Sequence, residues 1–216
     1  MLSKQIWPAV AVTLVLMVIT GILYPAAVTG VAQAIFPRQA NGSLVTVNGR
    51  VVGSALIGQR FAAAGYFHPR PSAAGVGYDD TLSAGTNKGP TDAKLADTLI
   101  ARMIDSAVAL DGAKRGEIPA DLVTSSGSGL DPHISPASAA LQVARVARVR
   151  GASEERVRQL VEHYTEGRQL GFLGEPRVNV LLLDIALDSA FGGHEAARRA
   201  TTPGAATGST GYADRR

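Results

Sequence analysis

Residues 6 to 23 read IWPAVAVTLVLMVITGIL, and this stretch decides the architecture of the chain. No charged side chain occurs from Gln5 to Pro37. Because a helix rises about 1.5 Å per residue, a segment of this length spans the ~30 Å hydrocarbon layer of a bilayer. We therefore expect an N-terminal segment at residues 1–5, a single transmembrane helix at 6–28 and one soluble domain at 29–193.

A cleaved signal peptide is the alternative for this segment. Lys4 gives it a basic start, and Ala32-Gln33-Ala34 has the form that signal peptidase accepts. However, the apolar run continues to Phe36 and is longer than the roughly 7–15 residues of a signal peptide. Its length favours a retained anchor.

Aromatic residues mark both ends of the predicted helix. Trp7 and Tyr24 suit the two membrane interfaces or the surface of a neighbouring helix, so both are candidate contacts with partner proteins. Pro25 is expected to end or kink the helix. Arginines follow the helix, while Lys4 and the amino terminus precede it, so charge alone does not set its orientation.

The composition of the whole chain is that of a globular protein. Of the 216 residues, 46% are apolar and 18% are charged. The formal charge of +3 is small and dispersed, so nothing indicates a nucleic-acid binder. The absence of cysteine is compatible with either side of a membrane. Residues 194–216 lack a hydrophobic period and predict a disordered tail.

The pattern after the anchor predicts an α+β fold with a short β-hairpin and about four helices. In SLVTVNGRVVGSALIGQRF, residues 43–61, two β-branched runs flank Asn48-Gly49, the preferred two-residue hairpin turn. Residues 65–91 are rich in Gly, Pro and Ser and have no sustained period. A loop of this length is usually functional or disordered.

Four helices are predicted after this loop, each with a start signal. The predicted starts are Thr91, Ser135 with Pro136, Ser153, and the residue after Pro176. Glycines at 112 and 151 are expected to end the first two helices. On the second helix, Arg145, Arg148 and Arg150 are expected to form a solvated basic face.

DLVTSSGSGLDPHIS, residues 121–135, contains the residue types of nucleophilic catalysis. A membrane-anchored hydrolase would use Ser126 or Ser128 with His133 as its base. These serines do not lie in a G-x-S-x-G elbow. The alternative, which we favour, is a loop in which glycines form turns and Asp131 bonds local amides. We therefore predict no catalytic residue and keep Asp131 and His133 as candidate partner contacts.

Signals for cofactors are weak. In SAGTNKGPT, residues 83–91, Lys88, Gly89 and Thr91 precede a predicted helix whose N-terminus can hold the phosphate of a nucleotide. The order of these residues is not that of a G-x-x-x-x-G-K-[ST] loop. The four histidines are dispersed and lack metal-ligand spacing. We expect no tightly bound cofactor and no metal site.

Several sequence blocks occur in an order that resembles one bacterial family. They are GILYPAAVTG, GSALIGQRF, YFHPRPSA, LSAGTNKGPT, DLVTSSGSGLDPHISPASAALQVARVA and HYTEGRQLGFLGEPRVNVLLLDIALD. Together they cover about residues 5–190 and are similar to the C subunit of the Kdp potassium-transporting P-type ATPase. The chain departs from the family pattern at Lys88, Tyr164 and Asp184.

The resemblance implies a non-catalytic accessory subunit of a high-affinity, ATP-driven potassium uptake complex. The implied partners are a channel-like potassium-translocating subunit, a P-type ATPase subunit and a very small membrane subunit. The N-terminus would lie in the cytoplasm and the soluble domain outside the cell membrane, in the periplasm or exterior.

Two roles are implied for this family: a catalytic chaperone that promotes ATP binding by the ATPase subunit, and a structural cap on the channel-like subunit. The D-K-T-G-T phosphorylation motif of a P-type pump is absent from this sequence. The chain therefore cannot itself carry the aspartyl-phosphate. Because ATP is cytoplasmic and the implied position of the soluble domain is outside the membrane, the resemblance implies that ATP acts through the ATPase subunit.

Overall fold

A computed structural model describes residues 2–192 of the chain. The tail predicted to be disordered, residues 194–216, lies outside this range. The chain divides into two compact units, Met1–Ser54 and Ala55–Arg216. The two units together contain helices and small antiparallel sheets, so the predicted α+β class is confirmed.

The first unit begins with a long apolar helix. It consists of α1 (Leu2–Val18), a π-helical turn (Ile19–Leu23) and α2 (Tyr24–Ile35), followed by the short helix α3 (Pro37–Ala40). Lys4–Ile35 is a continuous helix of 32 residues, long and apolar enough to cross a membrane. The apolar side chains of this helix face outward, as lipid or a partner helix requires.

Pro25 does not end the helix, which was one of the two outcomes expected from sequence. It lies in the first turn of α2, and the π-helical turn comes directly before it. Within that turn the amide of Tyr24 donates to the carbonyl of Ile19, five residues back. Proline has no amide hydrogen, so one backbone hydrogen bond of the helix is lost. The wider π-helical turn lets the helix continue past it.

The predicted hairpin completes the first unit. Strands β1 (Leu44–Val47) and β2 (Arg50–Ser54) pair antiparallel, with an irregularity between Val45 and Thr46. Asn48 and Gly49 form the turn with φ of 51° and 76°. Two positive φ angles characterise the turn that matches the twist of a hairpin, so the sequence signal is confirmed.

Between residues 55 and 192 the second unit carries a small sheet and four α-helices. The helices are α4 (Ala101–Asp111), α5 (Pro136–Arg150), α6 (Glu154–His163) and α7 (Val180–Phe191). The strands are β3 (His133–Ile134), β4 (Thr165–Glu166) and β5 (Arg177–Asn179), arranged antiparallel in the order β3-β5-β4. A π-helical segment (Leu95–Ile100) precedes α4, and short 3-10 turns lie at Arg115–Glu117 and Ala120–Leu122.

The hydrophobic core lies among α5, α6, α7 and the sheet. Its buried members are Phe67, Ile134, Ala139, Val143, Val146, Ala147, Val157, Val161, Val178, Val180, Leu183 and Leu187. Burying one Val, Leu or Phe side chain contributes about 1.5–3 kcal/mol. Phe67 comes from the long polar loop and is 0% exposed, so this loop is held on the core by a buried side chain.

Several helix ends follow the sequence signals. The hydroxyl of Ser135 accepts from the amide of Ser138, and the hydroxyl of Ser153 accepts from the amide of Arg156. Gly112 and Gly151 end α4 and α5 with φ of 68° and 64°, the left-handed conformation typical of a helix C-terminus.

Two predicted starts are corrected. Asp92, rather than Thr91, accepts from the amides of Lys94 and Leu95, because its carboxylate reaches both donors. After Pro176 the chain first forms β5, and Asn179 then caps α7 by accepting from the amide of Leu182. The apolar run there is shared between a strand and a helix because β5 pairs on both sides, with β3 and β4.

The predicted solvated arginine face is also wrong. Arg148 is exposed, whereas Arg145 is only 2% exposed. The side chain of Arg150 is 1% exposed. Both buried guanidinium groups bind backbone carbonyls and carboxylates of neighbouring segments, which replace the hydrogen bonds of water.

Candidate functional site

The loop of residues 121–135 is fastened at its two ends by one carboxylate. Asp121 accepts hydrogen bonds from the amide of Ser135 at 2.7 Å, from the hydroxyl of Ser135 at 3.0 Å and from the hydroxyl of Ser138 at 2.8 Å. Charge-assisted bonds of this kind are stronger than neutral ones. Asp121 thereby fixes the start of α5 relative to the loop.

Asp131 is the second anchor of this loop. Its carboxylate lies 3.0 Å from Nη1 of Arg70 and accepts from the amide of His133 at 3.0 Å. Nδ1 of His133 lies 3.3 Å from the same carboxylate. Burial alone would raise the pKa of Asp131, but the hydrogen bonds from His133 and Arg70 outweigh it and hold that pKa below its ordinary value. The carboxylate is therefore kept charged beside Arg70.

The two candidate nucleophiles bind neighbouring backbone. The hydroxyl of Ser126 accepts from the amide of Gly129 at 3.0 Å, and that of Ser128 accepts from the amide of Leu130 at 3.1 Å. The two hydroxyls lie 3.3 Å apart. Within residues 2–192 no hydrogen bond joins either serine to His133. The geometry is that of consecutive serine turns, without the nucleophile–base contact of a hydrolase.

Gly129 brings the loop into close contact with the long polar segment. It has a φ of 67°, and a Cβ atom at this position would lie 2.4 Å from the carbonyl oxygen of Ala84. The carbonyl of Gly129 accepts from the hydroxyl of Ser72 at 2.6 Å, and the amide of Ala84 donates to the carbonyl of Ser128 at 3.0 Å. Two loops without regular structure are thus joined backbone to backbone.

A buried polar cluster, which the sequence analysis missed, holds the same segment against α5. Arg145 lies at its centre: Nε is 2.6 Å from Oδ1 of Asp111, and Nη1 donates to the carbonyls of Ala64 at 2.6 Å and Tyr66 at 2.8 Å. Nη2 donates to Gln142, whose Oε1 also accepts from the amide of His68. Burial, then the charge of Arg145, lowers the pKa of His68.

The other side of the segment is held by α7. Oδ1 of Asp184 accepts from the amide of Phe67 at 2.9 Å, and the hydroxyl of Tyr66 donates to Oδ2 of Asp188 at 2.8 Å. Nη2 of Arg150 lies 2.9 Å from Oδ1 of Asp188, although neither atom makes a directed hydrogen bond. Oδ2 of Asp184 is buried without a hydrogen-bond partner, and burial raises the pKa of Asp184 well above its ordinary value.

A signal for this cluster exists in the sequence. Ser138, Gln142 and Arg145 are spaced by four and three residues, so they share one helix face with each other and flank the apolar stripe. Polar residues that continue an apolar stripe indicate buried hydrogen bonds. Sequence alone does not show that backbone carbonyls at residues 64–66 lie opposite them.

A cavity of about 470 Å³ lies between the polar segment and α4. Among its lining residues are Arg60, Phe61, His68, Arg70, Tyr78 and Met103. The hydroxyl of Tyr78 donates to the carbonyl of Arg70, and the Asp131 carboxylate compensates the charge of Arg70. The lining combines apolar walls with polar groups, of which Arg70 and Tyr78 are already hydrogen-bonded.

In the nucleotide-like stretch, the carboxylate of Asp92 already binds the donors that a phosphate would use. Nζ of Lys88 lies 2.9 Å from Oδ2 of Asp92, while Oδ1 accepts from the amide of Lys94 at 2.8 Å. The hydrogen bond from Lys88 is the main cause that lowers the pKa of Asp92. A phosphate bound through Lys88, Gly89 and Thr91 would have to displace this carboxylate. The assignment of these residues to nucleotide stays a prediction.

The candidate partner contacts are all at least partly exposed. Trp7 and Tyr24 are 77% and 66% exposed on the apolar helix, and their role as partner contacts stays a prediction. The side chains of Asp131 and His133 are 27% and 23% exposed. In the part of the chain that the structure describes, no group of three or more His, Asp or Glu side chains is arranged to hold a metal ion.

Comparisons with known proteins agree with the sequence blocks. The family model described as "K+-transporting ATPase, c chain" matches residues 6–189. The potassium-transporting ATPase KdpC subunit of Gemmatimonas aurantiaca is 62% identical over 189 residues, which are 87% of this chain and 94% of the relative. The corresponding subunit of Myxococcus xanthus is 56% identical over 85% of this chain and 87% of its own length. The subunit of Koribacter versatilis is 52% identical over 87% of this chain and 95% of its own length. The predicted resemblance is confirmed: the chain belongs to the KdpC family, the c chain of K+-transporting ATPases.

Proposed function

We propose that this chain is a non-catalytic, membrane-anchored subunit that assembles and stabilises an ATP-driven potassium uptake complex. Its partners would be the channel-like subunit, the P-type ATPase subunit and the small membrane subunit of that complex. The family match over residues 6–189 supports this assignment, because the relatives are named as subunits of a potassium-transporting ATPase. The match also includes the apolar helix, which supports a retained anchor.

The observation that carries the non-catalytic role is the bonding of residues 121–135. Ser126, Ser128 and Asp131 each bind backbone amides of this loop, and Asp131 also binds Arg70. A hydrolase with a serine nucleophile requires that serine beside its base, whereas this loop uses its polar groups to hold neighbouring segments. Such a rigid surface suits contact with another protein.

A hydrolase that uses Ser126 or Ser128 with His133 is the rival function. The test is potassium-limited growth of a strain that depends on the complex, carrying the double variant Ser126→Ala/Ser128→Ala or the variant His133→Ala. Growth close to that of the unaltered chain is expected, because no reaction depends on these side chains. Loss of growth in both variants, with normal amounts of assembled complex, would support the hydrolase instead.

The proposed orientation puts the N-terminus in the cytoplasm and the second unit outside the cell membrane. ATP is cytoplasmic, so a domain on the other side affects ATP affinity only through the membrane subunits. Coupling free energies of this kind are typically ~1–3 kcal/mol. A chaperone role in ATP binding is therefore proposed as an allosteric effect on the ATPase subunit, with no nucleotide bound by this chain.

Single cysteines test the orientation, because the chain has none of its own. Ser128→Cys and Ser3→Cys are placed separately in the assembled complex and treated with a membrane-impermeant thiol reagent on intact spheroplasts. Labelling at 128 and protection at 3 are expected. The reverse pattern would place the second unit in the cytoplasm and make direct nucleotide binding by Lys88, Gly89 and Thr91 the hypothesis to pursue.

A further inference from the structure

Residues 165–177 form a projecting hairpin that we call the finger. Its legs are β4 and the start of β5, which pair antiparallel. Its tip carries Leu170, Phe172 and Leu173, whose exposed fractions are 83%, 68% and 47%. Three large apolar side chains within four residues form an exposed patch of the kind that marks an interaction site.

Backbone hydrogen bonds close the tip in this exposed arrangement. The backbones of Gln169 and Leu173 exchange two hydrogen bonds of 2.9 Å, and the amide of Phe172 donates to the carbonyl of Gln169 at 3.2 Å. Leu170 has a φ of 53°. This left-handed conformation is unfavourable for a bulky side chain and is usually taken by Gly, Asn or Asp. Leucine therefore costs stability here, and its side chain gains little burial among residues 2–192.

Charged groups on the legs are paired with each other. Nη2 of Arg168 lies 2.7 Å from Oε2 of Glu175, and Nη2 of Arg177 lies 2.9 Å from Oε2 of Glu166. These are all the charged residues of the finger, so its net charge is zero. The ion pairs cross from one leg to the other below the apolar tip.

This charge pattern decides between two kinds of partner. Segments that insert into the surface of an anionic bilayer carry unpaired Lys or Arg, which bind lipid headgroups. The finger has no such cation. The buried centre of a protein–protein interface, by contrast, is depleted of charge and enriched in aromatic and large apolar side chains.

We propose that the finger inserts its apolar tip, centred on Leu170 and Phe172, into an apolar groove of another protein subunit of the potassium-transporting complex. The proposal rests on the proposed function, because it requires that complex. Leu170 and Phe172 act as the anchoring side chains, and the paired charges around them form a neutral rim.

A photocrosslinking experiment tests the contact directly. A photoreactive benzoylphenylalanine replaces Phe172 in the full-length chain within the complex in native membranes. The expected result is a covalent adduct with another protein subunit. The matched control places the same group at Glu155, whose side chain is 65% exposed on α6. Adducts with lipid alone, or protein adducts no more abundant than those from position 155, would overturn the proposal.

The double variant Leu170→Asn/Phe172→Ser separates docking from folding. Asparagine tolerates the left-handed conformation, so the unfolding temperature of the full-length chain should not fall. Recovery of the other subunits with this chain after detergent extraction should decrease about tenfold, which corresponds to a loss of about 1.4 kcal/mol. Val76→Ser removes a side chain that is 95% exposed elsewhere and should leave recovery unchanged. Full recovery with the double variant, or equal losses in both variants, would contradict the proposal.

Deletion of the whole chain distinguishes failure of this inference from failure of the proposed function. If deletion abolishes potassium-limited growth while the double variant retains both growth and assembly, the finger is not the docking element but the chain is still a subunit. If deletion leaves growth and the recovery of the other subunits intact, both proposals are wrong.

Discussion

Arg145 and Asp111 form an ion pair inside the second unit: Nε lies 2.6 Å from Oδ1, and the two side chains are 2% and 4% exposed. The pair joins the end of α4 to the middle of α5. Because Arg145 also donates to the carbonyls of Ala64 and Tyr66, it ties a segment without regular structure to both helices. A buried cation here replaces the backbone partners that a strand or helix would provide.

Removal of Arg145 should therefore strongly destabilise the fold. Arg145→Ala leaves Asp111 buried without its cation and two carbonyls without their donor, which is expected to cost about 3–5 kcal/mol of the free energy of unfolding. Urea unfolding of the full-length chain in detergent measures this change. Arg148→Ala, an exposed position on the same helix, should change it by less than about 0.5 kcal/mol. Equal effects of the two substitutions would show that the pair has no structural role.

Asp184 should make stability fall as pH rises. Burial is the main cause that raises its pKa in the folded protein well above the ordinary 3.8. Between these two values the folded chain holds a proton that the unfolded chain has released. The stabilising effect of this proton is complete below pH 3.8 and is lost as pH rises through the folded pKa.

Asp184→Asn isolates this effect because the amide oxygen can still accept from the amide of Phe67. The difference in unfolding free energy between Asp184→Asn and the unaltered chain should increase in favour of the variant as pH rises from about 4. Urea unfolding across the pH range measures it, and Asp105→Asn, at an exposed carboxylate, is the control. A difference independent of pH would contradict the prediction.

Gly129 should not tolerate a side chain. In Gly129→Ala the new Cβ atom would meet the carbonyl oxygen of Ala84 at 2.4 Å and the amide nitrogen of Ala74 at 2.7 Å, at a φ of 67°. The left-handed backbone alone costs of order 1–3 kcal/mol, and the overlap adds to it. A lowered temperature of thermal unfolding is expected. Gly127→Ala is the matched control because no atom lies within 4 Å of its Cβ position. Similar unfolding temperatures for both variants would be inconsistent with this packing.

Tyr66 should remain neutral in alkaline solution. Burial, followed by its hydrogen bond to Asp188, raises its pKa to about 12. When the folded chain is titrated with base to about pH 11, the absorbance of the phenolates that form should be the same with and without Tyr66→Phe. In urea the same variant should lose about one fifth of that absorbance, since the chain has 5 tyrosines. An equal loss in the folded chain would mean that Tyr66 is accessible to solvent.

Local signals predicted much of the fold. Asn48-Gly49 forms the hairpin turn, Ser135 and Ser153 cap their helices, and Gly151 ends α5. Each depends on interactions within a few residues, so the sequence of the segment contains the whole cause. The error at Thr91 is of the same kind, since Asp92 is the adjacent residue and a better acceptor.

Other predictions failed because they depend on distant neighbours. The arginines of α5 have the spacing of a solvated face, yet Arg145 is buried because carbonyls about 80 residues earlier in the chain need a donor. Similarly, residues 177–179 form a strand only because β3 and β4 lie on either side. In the loop at 121–135 the favoured interpretation agrees with the structure, because Ser126 and Asp131 accept from amides only two or three residues away.

The sequence by itself determined the long apolar helix, the α+β class, most helix ends and the family, because these depend on composition, periodicity and contiguous motifs. Only the tertiary structure decided which polar residues are buried and which apolar residues are exposed. Arg145 enters the core because its backbone partners lie there, while Leu170 and Phe172 stay outside because no segment of the second unit covers them among the described residues. Burial depends on which distant segments meet, and that information resides in the fold.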